Sequence, residues 1–138
     1  MFDRIVLAID GSEPSHRAEE TAATLAGLAG SEVIVLHVRE LEPMGRAGPI
    51  SLERPSEAAN LVTRVVAELQ AHGVNARGQA FAAIGGHVAP HIIETAKSEN
   101  ADLIVLGTRG HSDFAALLVG SVAHKVIHHA HCPVLVTR

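Results

Sequence analysis

Five short apolar segments alternate along the chain with longer segments whose apolar residues recur every three or four positions. Runs of about four to eight mostly apolar, β-branched residues are typical of strands buried on both faces of a sheet. Strands are therefore predicted over residues 4–10, 32–39, 75–83, 102–107 and 133–136. The third alternates small residues with larger and polar ones, which favours a sheet edge. His37, inside the second strand, is predicted to be a core or strand-end histidine with a hydrogen-bond partner.

The longer segments predict amphipathic helices over residues 15–29, 56–72, 88–100 and 122–130. Ser12, Ser56 and Ser121 each precede such a pattern and are predicted as N-caps, since a serine hydroxyl can bond a free amide of the first turn. From Leu41 to Pro55 the periodicity stops. Three prolines and two glycines there predict a long loop that either lies over a ligand or has no fixed structure.

This alternation of strands and helices joined by short turns predicts the fold class α/β, with right-handed crossovers and a parallel sheet. The expected architecture is a doubly wound open sheet of five strands with helices on both faces. A length of 138 residues fits one domain over residues 1–138 with a substantial core. Ligands of such sheets bind beyond the carboxyl ends of the strands, where the strand order reverses, and the first and fourth strands are expected to flank that point.

The segment after the fourth predicted strand is the strongest candidate for a binding site. Gly107 and Gly110 let the main chain approach a ligand closely. Gly120 and Ser121 open the next helix, whose first amides and positive dipole end favour a phosphate. Asp10 ends the first strand on the same sheet edge and could contact a ribose hydroxyl or the adenine amino group. The glycine spacing matches neither the dinucleotide fingerprint nor the Walker A motif.

Composition removes several classes of function. The 15 acidic and 11 basic residues form no block of either sign, so nucleic acid and anionic membranes are not expected partners. Three aromatic residues, all Phe, are too few for a platform that stacks single-stranded bases. A bound adenine would need aliphatic walls and backbone groups. The first apolar run is too short for a signal or membrane segment, which predicts a cytoplasmic protein, and the single Cys132 excludes an internal disulfide.

These residues resemble a known family, the universal stress proteins, over essentially the whole chain. The similarity lies in RIVLAIDGSEPS near the start, in VIVLHV and ADLIVLGTRG, and in GSVAHKVIHHAHCPVLV near the end. The family's nucleotide motif has two residues between its first glycines and nine before a Gly-Ser pair. Gly107, Gly110, Gly120 and Ser121 match it.

The resemblance implies a Rossmann-like sheet of the adenine nucleotide alpha hydrolase type, in the order 3-2-1-4-5, and a stress-response regulator that binds ATP or AMP, with or without Mg²⁺. It also implies a homodimer in which the last strand, from Pro133 to Arg138, pairs antiparallel with its copy. An exposed apolar edge strand gives a physical reason for that pairing. The residues expected to bind the nucleotide are Ala8, Asp10, Gly11, Ser12, Val38, Leu106, Gly107, Arg109, Gly110, Gly120, Ser121 and Val122.

Three alternatives stay open. A slow ATPase or autophosphorylating enzyme would need a base or nucleophile near the phosphates, but His111, Ser112 and Asp113 form no recognisable acid–base pair and fit polar turn residues better. A nucleotide-independent interaction module would not need the four motif positions. The cluster from His124 to Cys132 includes histidines at the i, i+4 spacing of a metal pair. They fall on the solvent side of their helix, so neither a metal site nor a dedicated catalytic residue is predicted.

Overall fold

A computed structural model describes residues 1–43, 49–108 and 119–138 of the chain. The strands are β1 (Arg4–Ala8), β2 (Glu32–Pro43), β3 (Pro49–Ile50), β4 (Asn75–Ile84), β5 (Leu103–Gly107) and β6 (Val134–Thr137). The helices are α1 (Glu13–Ala29), α2 (Pro55–Ala71), α3 (Val88–Ser98) and α4 (Ser121–His129). The predicted site residues Arg109 and Gly110 lie outside the described residues, as do His111, Ser112 and Asp113.

Five of the strands form one parallel sheet in the order β4-β2-β1-β5-β6. Counted along the chain without the short β3, this is the expected order 3-2-1-4-5, and the predicted Rossmann-like α/β class is confirmed. β1 lies at the centre, where Ile5 is in register with Val33 of β2 and with Leu103 of β5. The strand order therefore reverses between β1 and β5, as expected.

Successive residues of β1 point to opposite faces of the sheet and enter two separate cores. Ile5 and Leu7 pack with Val33 of β2 against α1 and α2. Val6 packs with Ile34 against α3 and α4. All five side chains are completely buried. A strand covered by helices on both faces needs an apolar side chain at every position, which explains the continuous apolar runs in the sequence.

Two predicted helix caps are wrong. α2 begins at Pro55 after the N-cap residue Arg54, so Ser56 lies inside the first turn. Proline has a fixed φ that suits a first turn, and the helix starts two residues earlier than it would with the serine as N-cap. α4 begins at Ser121 itself, because Gly120 adopts the extended backbone, φ −54° and ψ 156°, of an N-cap residue. The main chain of Ser121 is therefore the first helical unit of α4.

The long loop predicted from Leu41 to Pro55 is corrected at both ends. β2 continues to Pro43, and β3 pairs with it antiparallel through the Glu42–Ile50 and Pro43–Pro49 registers. β2 is longer than its apolar pattern because β4 pairs with it as far as Leu41. Residues 44–48 lie outside the described residues.

In the described parts of the chain, no helix has the length and apolar character needed to cross a membrane.

Candidate functional site

A cleft opens at the carboxyl ends of β1 and β5, where the strand order reverses. The ends of these strands form its floor, and the first turns of α3 and α4 stand beside it. Its volume is about 540 Å³ with the open mouth included. This is the position at which doubly wound sheets bind ligands.

Most of the predicted binding residues that the structure describes line this cleft. They are Ala8, Asp10, Val38, Leu106, Gly107, Gly120 and Val122. Gly11, Ser12 and Ser121 are not part of the lining, although each is next in sequence to a residue that is. The structure therefore gathers residues from β1, β2, β5 and α4, which lie up to 114 positions apart in the sequence between Ala8 and Val122.

Asp10 sits in a tight turn between β1 and α1 that fixes its position. Its Oδ1 accepts a hydrogen bond from the amide of Ser12 at 2.9 Å, and its own amide donates to Oγ of Ser15 at 3.1 Å. Gly11 adopts φ +79° in this turn, a left-handed conformation that side chains disfavour. Ser12 is confirmed as the N-cap of α1, since its hydroxyl accepts from the amide of Ser15. Gly11 and Ser12 thus shape the turn that presents the exposed Asp10.

Gly107 allows β5 to end directly against the first turn of α1. A Cβ atom at this position would lie 2.4 Å from the carbonyl carbon of Pro14 and 2.7 Å from the amide nitrogen of Ser15. The same turn is tied to β6, because the hydroxyl of Thr137 donates to the Pro14 carbonyl at 2.9 Å. The absent side chain therefore has a packing role as well as leaving the cleft floor open.

The first turn of α4 faces the cleft. Gly120, Val122 and Ala123 all contribute to the lining, and the first intrahelical bond runs from the amide of His124 to the carbonyl of Gly120 at 2.9 Å. The amides at the start of any α-helix have no acceptor within the helix, and the helix dipole places partial positive charge there. This end of the cleft is suited to an anionic group such as a phosphate.

The opposite wall of the cleft is aliphatic. It consists of Leu36 and Val38 from the middle of β2 and of Val88 and Ile92 from α3. Sequence reasoning missed part of the lining, namely Ile9, Ser15, Leu36, Val88, Ile92 and Ala123. Val88 and Ile92 had a detectable signal, because both fall on the apolar face of α3, but such a face indicates core and pocket equally. No aromatic side chain is among the described lining residues.

The side chain of His37 connects the residue after β1 with the segment that follows β3 through two hydrogen bonds. Its side chain is 5% exposed, as expected for a histidine of the core, with Nδ1 lying 2.7 Å from the carbonyl oxygen of Ile9. Nε2 lies 2.7 Å from Oε1 of Glu53. The Ile9 carbonyl oxygen can only accept a hydrogen bond, so Nδ1 of His37 carries a hydrogen. The contact between Nε2 and Oε1 of Glu53 requires a second hydrogen, on either the imidazole or the carboxyl group. Because Ile9 lines the cleft, this bridge supports one of its edges.

The described lining of the cleft carries groups suited to holding a ligand. Asp10 is the one ionisable side chain among the described lining residues. The arrangement combines a carboxylate, helix amides and an aliphatic wall, which are the means of holding a polar ligand with one apolar part.

The histidines of α4 form a close pair away from the cleft lining. The ring centroids of His124 and His128 lie 4.4 Å apart, and the rings are arranged edge to face. Within residues 1–43, 49–108 and 119–138, His, Cys, Asp and Glu side chains form no group of three that could hold a metal ion. Burial raises the pKa of the nearby Cys132 thiol, and the charge of Asp102 raises it further. A thiol with a raised pKa is a poor metal ligand and nucleophile.

Comparison with known sequences identifies related chains of matching length. The sequence model of the universal stress protein family matches residues 1–138. A Thermus aquaticus protein, described as the universal stress protein in the QAH/OAS sulfhydrylase 3′ region, is 36% identical over 138 residues, which are 100% of both chains. The similarity is thus not confined to the glycine segment.

Solved structures of similar chains share the backbone arrangement. The universal stress protein from Archaeoglobus fulgidus superposes with a TM-score of 0.78 at 27% identity, with 100% of each chain covered. A structure of the universal stress protein from the same organism in complex with dAMP gives a TM-score of 0.72 at 25% identity, covering 100% of this chain and 98% of that one. In both, the correspondence extends over the sheet and its helices.

Proposed function

The chain belongs to the universal stress protein family, and on that basis we propose that it binds an adenine nucleotide, ATP or AMP, in the cleft between β1 and β5. The observation that carries the proposal is the combination, in one cleft, of the Asp10 carboxylate, the start of α4 and an aliphatic wall. The related A. fulgidus protein in complex with dAMP supports an adenylate as the ligand. The role proposed for the present protein is that of a regulator in a stress response.

Each part of the cleft has a role in this proposal. The phosphates lie at the amides of Ser121 and Val122, where the helix end is positive. The phosphate-binding segment also includes Gly107, Arg109, Gly110 and Gly120. Its glycines let the main chain come close to the phosphate oxygens.

The nucleoside occupies the other half of the cleft. Asp10, held by Gly11 and Ser12, accepts hydrogen bonds from the ribose hydroxyls or the adenine amino group. The adenine lies against Val38 on the aliphatic wall, while Ala8 and Leu106 form the floor below the sugar. The nucleotide acts by changing the stability or the contacts of the protein, for which the binding groups of the described lining are suited.

Calorimetric titration with ATP, AMP and GTP, each with and without Mg²⁺, tests the proposal. We expect saturable binding of an adenine nucleotide and a loss of at least about tenfold in affinity in Gly120→Val, whose side chain would occupy the start of α4. Gly85→Ala is the matched control, because its Cβ would meet its nearest neighbour at 3.9 Å, outside the cleft. Undiminished binding by Gly120→Val would place the site elsewhere, and no heat with any nucleotide would favour a nucleotide-independent interaction module.

A homodimer through the last strand is the second part of the proposal. β6 pairs with β5 on one side, and no other described strand pairs with it. The carbonyls of Pro133 and Thr137 bond β5, so the alternate residues Val134 and Val136 direct their main-chain groups outward. Pairing of the strand from Pro133 to Arg138 with a second copy would satisfy those groups and cover an apolar edge.

Light scattering after size-exclusion chromatography tests this pairing. Val136→Pro removes an outward amide without removing a bond to β5, and we expect it to convert the dimer to a monomer. Val136→Ile keeps the amide and should leave the dimer intact. A wild-type monomer at high concentration, or a Val136→Pro dimer, would contradict the proposal.

A further inference from the structure

A second hollow lies between α1 and α2, on the face of the sheet that these two helices cover. We call it the α1–α2 groove; its volume is about 580 Å³ with the open mouth included. His16, Glu19 and Ala23 line it from successive turns of α1, while Glu68 lines it from the last turn of α2 and His72 from the C-cap position of that helix. The groove shares no lining residue with the nucleotide cleft.

Glu19 is the unusual member of this groove. Its side chain is 9% exposed, and its Oε2 lies 3.2 Å from Nδ1 of His16. Oε1 is buried and has no hydrogen-bond partner, and it is the one buried side-chain oxygen or nitrogen in that condition among the described residues. A buried acceptor left without a donor is unfavourable by about 1–3 kcal/mol. The position therefore calls for a donor that the described part of the chain does not supply.

The charges around Glu19 are unbalanced. Glu20 and Glu68 also line the groove, so three carboxylates face it. The cation nearest to Glu19 is Arg64, whose Nη1 lies 4.0 Å from Oε2 but 2.9 Å from Oε1 of Glu68. Its guanidinium is therefore engaged mainly with the exposed Glu68. The groove keeps an excess of negative charge beside a buried carboxylate.

The remaining surface of the groove is apolar. Ala23, Val65 and Leu69 form this part, between the two helices. An occupant that matches the groove combines a positively charged hydrogen-bond donor with an aliphatic chain. A metal ion matches less well, because no three His, Cys, Asp or Glu side chains are grouped to coordinate one within the described residues.

We propose that the α1–α2 groove binds a small aliphatic amine in its ammonium form. The ammonium donates to Oε1 of Glu19, and the methylene chain lies on the apolar surface formed by Ala23 and Leu69. The ring of His16 can turn aside to admit the ligand, because its side chain is 42% exposed. A diamine can place its second ammonium near Glu68 at the other side of the groove. This proposal is independent of nucleotide binding.

The titration of Glu19 adds a dependence on pH. Burial raises the pKa of this carboxyl, the hydrogen bond and charge of His16 and the charge of Arg64 oppose the rise, and Glu68 adds to it. The other ionisable groups among the described lining residues of the groove are Glu20 on α1 and His72, the C-cap residue of α2. An ammonium requires the ionised carboxylate. Its affinity should therefore fall as the pH decreases through the raised pKa of Glu19.

Titration of the isotopically labelled protein with putrescine, followed by amide chemical shifts, tests the proposal. We expect saturable shifts in α1 and α2, and at least about a tenfold loss of affinity in Glu19→Gln, which removes the charge but keeps the shape. Glu13→Gln is the matched control, since Glu13 lies on the same helix outside the groove. Tetramethylammonium, which has no N–H donor, should not shift the same amides.

A second variant covers the case in which Glu19→Gln does not fold. Ala23→Leu fills the apolar surface without changing a charge and should also abolish putrescine binding. Shifts that do not saturate, or equal affinity in wild type, Glu19→Gln and Ala23→Leu, would overturn the proposal. Tighter binding of Zn²⁺ than of putrescine at the same amides would replace the amine with a metal ion.

Discussion

The nucleotide cleft and the α1–α2 groove are built from different kinds of group. In the cleft the polar groups belong mostly to the main chain, at the start of α4, and Asp10 is the one ionisable side chain of its described lining. The described lining of the groove contains five ionisable side chains, including the buried Glu19. A site made of main chain depends on backbone shape, and a site made of side chains depends on charge.

This contrast predicts which substitutions affect which site. Adding atoms to the main chain of the cleft should have large effects on folding, because the strands and helices that form it are also the frame of the domain. Removing a charge from the groove should have small effects on folding, and it can even increase stability. The following four variants are arranged from the largest expected effect to the smallest.

Gly107→Ala should have the largest effect. The new Cβ would lie 2.4 Å from the backbone of Pro14, which cannot move without displacing α1 from β5. We expect a loss of about 3 kcal/mol in the free energy of unfolding, since overpacking against fixed atoms usually costs about 1–3 kcal/mol or more. Urea denaturation measures it, with Gly85→Ala as a control expected within about 0.5 kcal/mol of wild type. Equal stability of the two variants would contradict the close packing of β5 on α1.

His37→Ala should rank second. It removes both the 2.7 Å contact to the Ile9 carbonyl and the 2.7 Å contact to Glu53. We expect a loss of about 2 kcal/mol in unfolding free energy, because buried polar groups lose their partners, and weaker nucleotide binding because Ile9 lines the cleft. His72→Ala, at an exposed histidine of the groove, is the comparison variant. Should His72→Ala destabilise the protein as much, the bridge from His37 would not be a support of the cleft.

Asp10→Asn tests the one ionisable side chain of the described cleft lining. The amide oxygen can still accept from the amide of Ser12, so the turn should keep its shape. We expect about tenfold weaker binding of AMP, because a carboxylate is the stronger acceptor for ribose or adenine groups. Asp3→Asn, placed before β1 at the other end of the strand, should bind as wild type does. Unchanged affinity in Asp10→Asn would remove this carboxylate from the site.

Glu19→Gln should have the smallest of the four effects, and it should increase stability. The folded-state pKa of Glu19 is raised above its usual 4.5, so the folded state binds the proton more tightly than the unfolded state. The stability of the wild type therefore falls as the pH rises from about 4.5 through the raised pKa. At neutral pH we expect Glu19→Gln to be more stable by on the order of 1 kcal/mol. Thermal denaturation across this pH range should show the advantage disappear in acid.

Sequence patterns predict the cleft better than the groove for a physical reason. The ends of parallel strands meet at one sheet edge, so residues such as Asp10 and Gly107 can be brought together from the strand pattern alone. Val88 and Ile92 lie on the apolar face that the periodicity predicts for α3. Periodicity alone does not distinguish a residue of the core from a residue of the cleft wall. The end of β2 was missed because its extension depends on pairing with β4 and not on its own residues.

The groove has no comparable signal in the sequence. Glu19 and Glu68 lie on different helices, and in the sequence neither differs from the other charged residues of its helix. Their proximity follows from how α1 and α2 pack on the sheet, and the burial of Glu19 follows from the size of neighbouring side chains. A local sequence pattern indicates neither this proximity nor this burial. His37 lies between these cases, since its burial was predictable but its contact with Glu53 was not.

The bond between Thr137 and Pro14 has a consequence for the time at which the cleft forms during synthesis. Pro14 belongs to the first turn of α1, whereas the hydroxyl that holds its carbonyl is made 123 residues later. β1 and α1 emerge early from the ribosome, yet this side of the cleft stays unfastened until β6 has been added to the sheet. Contacts so distant in sequence form slowly, because the entropy of closing the chain between them opposes their formation. Under the proposed function, a nascent chain would thus gain its nucleotide only after β6 has joined the sheet, so binding would report on a completed sheet.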